Sequence, residues 1–241
     1  MHRKVLHEWF ATTKGQVLQK QEAAFLQRSI TVSCKQVVVQ VGALAWEDSF
    51  VDCTLYEQFY VVDDMQNPCD QSKLLRAATV ALPFKSESVD MVILPHLLEF
   101  DSHKHQVLRE VERILKPEGK LTILSFNPWN IYINLQYMKR RAKKTPWFPG
   151  LVSRTRIEDW LRLLNFEVEL AAGFNFDATR IDTGHAEGRK QEISIVAYGF
   201  KAIKRSYHLI PLDPIQEYRS KFAMAKLIDA PLRQRRYDND C

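Results

Sequence analysis

The stretch from Leu82 to Asn127, LPFKSESVDMVILPHLLEFDSHKHQVLREVERILKPEGKLTILSFN, leaves this chain few folds to choose from. Val89–Leu94 is a short apolar run rich in β-branched residues, set behind the polar turn Lys85–Ser88. Such a run, without alternation, predicts a strand buried on both faces. Asp101 or Ser102 then supplies a helix cap, and Val107, Val111, Ile114 and Leu115 recur at helical spacing as the inner stripe. Pro117-Glu118-Gly119 reads as the stop of that helix, and Leu121–Phe126 as a second apolar strand. Strand, crossover helix and strand make a parallel βαβ unit, which is right-handed almost without exception.

The rest of the chain is placed around that unit. Residues 2–28 read as helical, divided at Gly15 into two helices that form either a packing arm or a lid over a ligand. Val37–Val41 reads as the first strand and ends at Gly42. In an open α/β sheet, ligands bind at the carboxyl ends of strands, so Gly42 and the adjoining Ala43 fall where a cofactor loop is expected. Phe59–Val62 is a second strand, ending in Asp63-Asp64, about 20 residues beyond Gly42. An acidic residue there can accept hydrogen bonds from both ribose hydroxyls; a solvated turn is the plainer alternative. Arg76–Ala81 reads as a third strand. The fourth ends at Pro95-His96, where His96 is either a general base or a loop histidine. Phe166–Leu170 and Ile193–Phe200 read as the sixth and seventh strands, antiparallel through a polar loop at 174–191.

Composition narrows the function classes. The 241 residues are enough for one large domain with additions. The formal charge of +5 is compatible with anionic partners. Much of it lies between Lys139 and Arg156, where seven Lys and Arg residues occur with no acidic residue, next to Trp129, Tyr132, Tyr137, Trp147 and Phe148. Bases interleaved with aromatics suit nucleic acid, an anionic membrane or a protein partner; a solvated face on a substrate-side insertion is the alternative. Cys34, Cys53, Cys69 and Cys241 show no CxxC spacing, and no His and carboxylate set has metal-ligand spacing, so neither a disulfide framework nor a metal is expected. No apolar run approaches the roughly 20 residues of a membrane span, and the first residues lack a signal-peptide core, which predicts a cytoplasmic protein. The expected organisation is an arm at 1–30, a main domain at 31–200 with the basic and aromatic insertion at 129–156, and a basic tail at 201–241.

Leu82–Phe100 and Leu108–Ile123 together resemble the LPF-x(3)-S-[FV]-D-x-V segment and the helix, K-P-x-G turn and fifth strand of class I S-adenosylmethionine (SAM)-dependent methyltransferases of the type 11 domain. A narrower resemblance, to a bacterial subgroup with irregular cofactor loops, is carried by Trp9-Phe10-Ala11-Thr12 with Gly15, by Ser125–Pro128 and by Trp160–Val168. The resemblance implies a Rossmann-like α/β fold: a seven-stranded, mostly parallel sheet flanked by helices, with an antiparallel last strand. It implies SAM as cofactor and methyl transfer to an acceptor, small or macromolecular, that the sequence does not name. Carried over residue by residue, Gly42 and Ala43 form the cofactor loop and Asp63, or Asp64 by one register, holds the ribose. Thr79 and Val80 edge the adenine, and Leu94, Pro95 and His96 border the methionine end, with His96 as the catalytic candidate. From chain position alone, Asn127 at the end of the fifth strand and Trp129 at the head of the aromatic and basic segment are candidate acceptor contacts. Against the family pattern, Gln40 stands where an acid is usual, Leu44 and Trp46 replace loop glycines, and Ala78 replaces an aspartate. The same fold without the cofactor would leave a binding or scaffold module.

Overall fold

A computed structural model describes residues 3–30, 36–51, 59–63, 74–142, 150–176, 182–183 and 193–205. Its elements, in order, are α1 (Arg3–Phe10), α2 (Thr13–Ser29), β1 (Val38–Val41), a 3-10 turn (Glu47–Ser49), β2 (Phe59–Asp63), β3 (Leu74–Arg76), β4 (Val89–Pro95), α3 (Lys104–Ile114), β5 (Leu115–Phe126), α4 (Ile131–Ala142), α5 (Arg154–Leu163), β6 (Phe166–Phe174), β7 (Asp182–Thr183) and β8 (Ala197–Lys204). The strands form one eight-stranded sheet in the order β3-β2-β1-β4-β5-β8-β6-β7. From β3 to β5 all neighbours are parallel; β8 runs antiparallel between β5 and β6, and β7 antiparallel at the edge. The expected α/β sheet is thus present with one strand more than seven, the two-residue β7.

Both faces of the parallel half are covered, which is why its strands read as continuous apolar runs. Val38, Phe59, Val61, Met91, Ile93, Leu124 and Phe126 join one buried cluster with α1 and α2 residues such as Leu6, Trp9, Phe10, Leu18 and Leu26. Val39, Val41, Val62, Val92, Leu94, Leu121 and Ile123 join the other, with Val107, Val111 and Ile114 of α3 and Ile157 and Leu161 of α5. Alternate residues of each strand therefore serve opposite layers.

Several boundaries differ from the sequence reading, each for a local reason. The break between the first helices lies at Ala11-Thr12, not at Gly15: the Thr12 hydroxyl caps α2 by accepting the Gly15 N–H at 3.1 Å. Gly15 sits inside α2 because a Cβ there would lie 2.2 Å from the Trp9 carbonyl oxygen. The third strand is Leu74–Arg76, and Thr79-Val80 form a turn beyond it. Pro117-Glu118-Gly119 does not end in a separate strand. It is absorbed into β5 as a bulge, with Glu118 at φ 61° and the register against β4 shifting between Val89 and Met91. The last strand is Ala197–Lys204, so the sheet passes the expected domain boundary at 200. The tail from 206 and residues 143–149 of the basic segment lie outside the described residues.

Candidate functional site

Strand order reverses between β1 and β4, and the carboxyl ends of these two strands define the site expected for an open α/β sheet. Gly42 leaves β1 with φ 98°, a backbone state that favours glycine, and its N–H donates to the Val62 carbonyl at 2.7 Å. The next N–H, of Ala43, donates to Asp63 Oδ2 at 2.9 Å. Asp63 is buried at the end of β2, so its carboxylate is aimed across the gap at the β1 loop. Gly42, Ala43 and Asp63 are thus brought together as the sequence predicts.

The irregular part of the loop has its own internal logic. Gln40, fully buried, donates through Nε2 to the Gly42 carbonyl at 2.8 Å and to Glu47 Oε1 at 2.7 Å. The same Glu47 oxygen accepts the Leu44 N–H at 2.6 Å. A carboxylate seven residues downstream of Gln40 therefore ties the loop backbone to the end of β1. Leu44 and Trp46 turn inward and are buried, and Ala45 takes φ 68° between them. Helix α1 closes over this loop: His7 Nε2 lies 3.2 Å from the Ala43 carbonyl, and Phe10 meets Trp46 edge-to-face at 5.6 Å.

At the end of β4, His96 adopts φ 48° and is completely buried. Its Nε2 lies 3.1 Å from Glu22 Oε1 on α2, and its Nδ1 lies 3.6 Å from Glu99 Oε1. Its ring stacks on Phe126 with centroids 4.1 Å apart. Glu99 Oε1 also accepts the Phe126 N–H at 2.6 Å. Burial pulls the His96 pKa down, but Glu22, by charge and hydrogen bond, and Glu99 outweigh it and raise the pKa to about 9. Burial pushes the Glu22 carboxyl up, against the opposing pull of His96. The proton-accepting role expected of His96 requires the neutral ring, which these two carboxylates disfavour. Glu22 Oε2, Glu99 Oε2 and His96 Nδ1 are buried without a hydrogen-bond partner.

The other predicted residues are spread more widely. Leu94 is buried in the opposite layer, against α3 and α5, while Pro95 is buried beside His96. Thr79 donates to Asp101 Oδ2 at 2.5 Å, and Val80 is exposed. Asp64 lies outside the described residues. Asn127 is fully buried: its Nδ2 donates to the Ile195 carbonyl at 2.9 Å and its Oδ1 accepts the Trp129 N–H at 3.0 Å, so it pins a turn. Trp129 is 65% exposed. Sequence reasoning misses Glu22, Glu47 and Glu99. The available signals are an acid within the apolar stripe Leu18, Glu22, Phe25, Leu26 and an acid inside the apolar run Leu97-Leu98-Glu99-Phe100.

This geometry tests whether SAM fits. The ribose end does: a buried acidic acceptor faces a positive-φ glycine turn. At the methionine end the volume next to the loop backbone is taken by Leu44, Trp46 and Phe10, and the nearby carboxylates share one imidazolium. Among the described residues no three His, Cys, Asp or Glu could hold a metal.

Known proteins place the fold and the domain. The structure matches a SAM-dependent methyltransferase from Thermotoga maritima with a TM-score of 0.60, covering 84% of this chain and 95% of that one at 18% identity. A second, from Archaeoglobus fulgidus, gives 0.60 over 85% and 100% at 14% identity. The fold is therefore the Rossmann-like fold of SAM-dependent methyltransferases. Residues 53–123 match the family model of the methyltransferase domain. In sequence the chain is 37% identical over 102 residues to the uncharacterized protein YafS of Escherichia coli, and 33% identical over 86 residues to the ubiquinone/menaquinone biosynthesis C-methyltransferase UbiE of Hahella chejuensis. These matches span 42% and 34% of those relatives' own lengths. No described helix is long and apolar enough to cross a membrane.

Proposed function

We propose that the chain is a SAM-dependent methyltransferase. The observation that carries this reading is the pairing of Asp63 with the Gly42-Ala43 turn at the switch between β1 and β4, within a domain that matches the methyltransferase family model. SAM supplies a methyl group already activated on a sulfonium. The chain has then to bind, orient and exclude water, with acid/base help only where the acceptor needs it. In this reading Asp63 holds the ribose diol, Gly42 and Ala43 border the cofactor with backbone, and Pro95-His96 border its methionine end. His96, held as an imidazolium, fixes the end of β4 against α2 and carries positive charge, while α1 and α2 exclude water.

The inward packing of Leu44 and Trp46 favours a second reading: a methyltransferase-like binding module that has given up the cofactor. Calorimetric titration with SAM and S-adenosylhomocysteine separates the two. The enzyme reading expects saturable binding that falls about 10- to 100-fold in Asp63→Asn, because a charged acceptor of the ribose hydrogen bonds is lost. No heat and no melting shift at millimolar ligand would sink it and leave the binding module.

A further inference from the structure

Among the described residues, seven large apolar side chains are exposed, and four of them, Trp129, Ile131, Leu135 and Met138, fall within ten residues of one another. Ile131, Leu135 and Met138 recur at helical spacing on one side of α4, and Asn134 between them is also exposed. The other side of α4 is anchored: Ile133 is fully buried and Tyr132 meets Phe176 edge-to-face at 5.1 Å. Asn130 fixes the start of the helix, accepting the Ile133 N–H at 3.1 Å and donating to the Ile193 carbonyl at 3.0 Å. Ile193, itself 41% exposed, extends the patch. The apolar face is therefore held rigidly outward.

The sequence through α4 carries charge of one sign: no Asp or Glu occurs from Gly119 to Ile157, while Lys139, Arg140 and Arg141 fall in the last turns of α4. We propose that Trp129 and α4 form an interfacial docking helix for an anionic lipid surface. Three aliphatic side chains and a tryptophan match the acyl boundary, and the basic cluster matches the headgroups. A nucleic acid would use the charge but has no complement for exposed Ile131, Leu135 and Met138. The proposal stands independently of cofactor binding.

The test is co-sedimentation of the full chain, without SAM, with phosphatidylcholine vesicles lacking or containing phosphatidylglycerol. Association with the anionic vesicles alone is expected. Leu135→Gln combined with Met138→Gln should weaken it at least about 10-fold, since both side chains lose apolar burial. Lys139→Gln, Arg140→Gln and Arg141→Gln together should weaken it on the order of 100-fold. Trp129 emission should shift to the blue on binding. No association with anionic vesicles overturns the proposal. So does association that survives the Leu135/Met138 change, or a preference for duplex or single-stranded nucleic acid over the vesicles.

Discussion

The Glu22–His96–Glu99 cluster makes stability depend on pH in a direction opposite to that of ordinary paired carboxylates. His96 is raised from 6.5 to about 9 in the folded chain. Between those values the folded state holds a proton that the unfolded state has lost. The associated stability is complete below about pH 6.5 and disappears as pH rises through about 9, with a slope of about 1.4 kcal/mol per pH unit. Over the whole window this amounts to about 3 kcal/mol. The perturbation is the double variant Glu22→Gln with His96→Asn, which removes the His96 proton together with its buried counter-charge, while asparagine tolerates the φ of 48°. Urea unfolding of both chains across the pH window gives the difference. The wild type should lose stability between pH 7 and 9 relative to the double variant by roughly 2–3 kcal/mol. Parallel curves would refute the assignment of an imidazolium between two carboxylates.

Two further substitutions probe how the site is closed. Gly15→Ala would gain about 1 kcal/mol from helix propensity alone, yet the added Cβ would lie 2.2 Å from the Trp9 carbonyl oxygen and 2.6 Å from Phe10 Cα. Backbone cannot yield as a side-chain tip can, so urea unfolding should show a net loss of about 1–3 kcal/mol, and a net gain would contradict the contact. Glu47→Ala strands the Leu44 N–H in a buried loop and leaves Gln40 Nε2 with the Gly42 carbonyl as its remaining acceptor. A loss of about 2–4 kcal/mol is expected by the same measurement, and a neutral result would show that the loop finds other acceptors.

The parts of the fold legible in sequence are those fixed by short-range pattern. Val89–Leu94 and the α3 stripe are defined by periodicity and by two-sided burial, so β4 and the body of α3 emerge from Leu82–Asn127, whereas α3 ends at Ile114 rather than at Pro117 and β5 begins at Leu115, not Leu121. The third strand is misplaced: β3 is Leu74–Arg76, three partly exposed residues, and of the Arg76–Ala81 stretch that reads as a strand only Arg76 belongs to it, the rest being irregular or turn. At the site, Gly42 and Asp63 are readable because each ends an apolar run. The carboxylates are not. Glu22 meets His96 across 74 residues of sequence, and no local pattern reports so distant a pairing. Glu47 reaches Gln40 from seven residues downstream, across a turn that no periodic pattern marks.

The position of β8 carries a consequence for how the chain comes to be folded during synthesis. It pairs with β5 on one side, Leu121 opposite Ala202, and with β6 on the other, Val168 opposite Ala202. Among the described residues the strand made last thus occupies the middle of the sheet. Until residues 197–204 have left the ribosome, β5 presents a bare edge and the β6–β7 ribbon has no sheet to join. The parallel half and the antiparallel half must wait for one late segment to bridge them. From the completion of β5 at Phe126 until Lys204 is made, the nascent chain therefore holds an open, aggregation-prone strand edge.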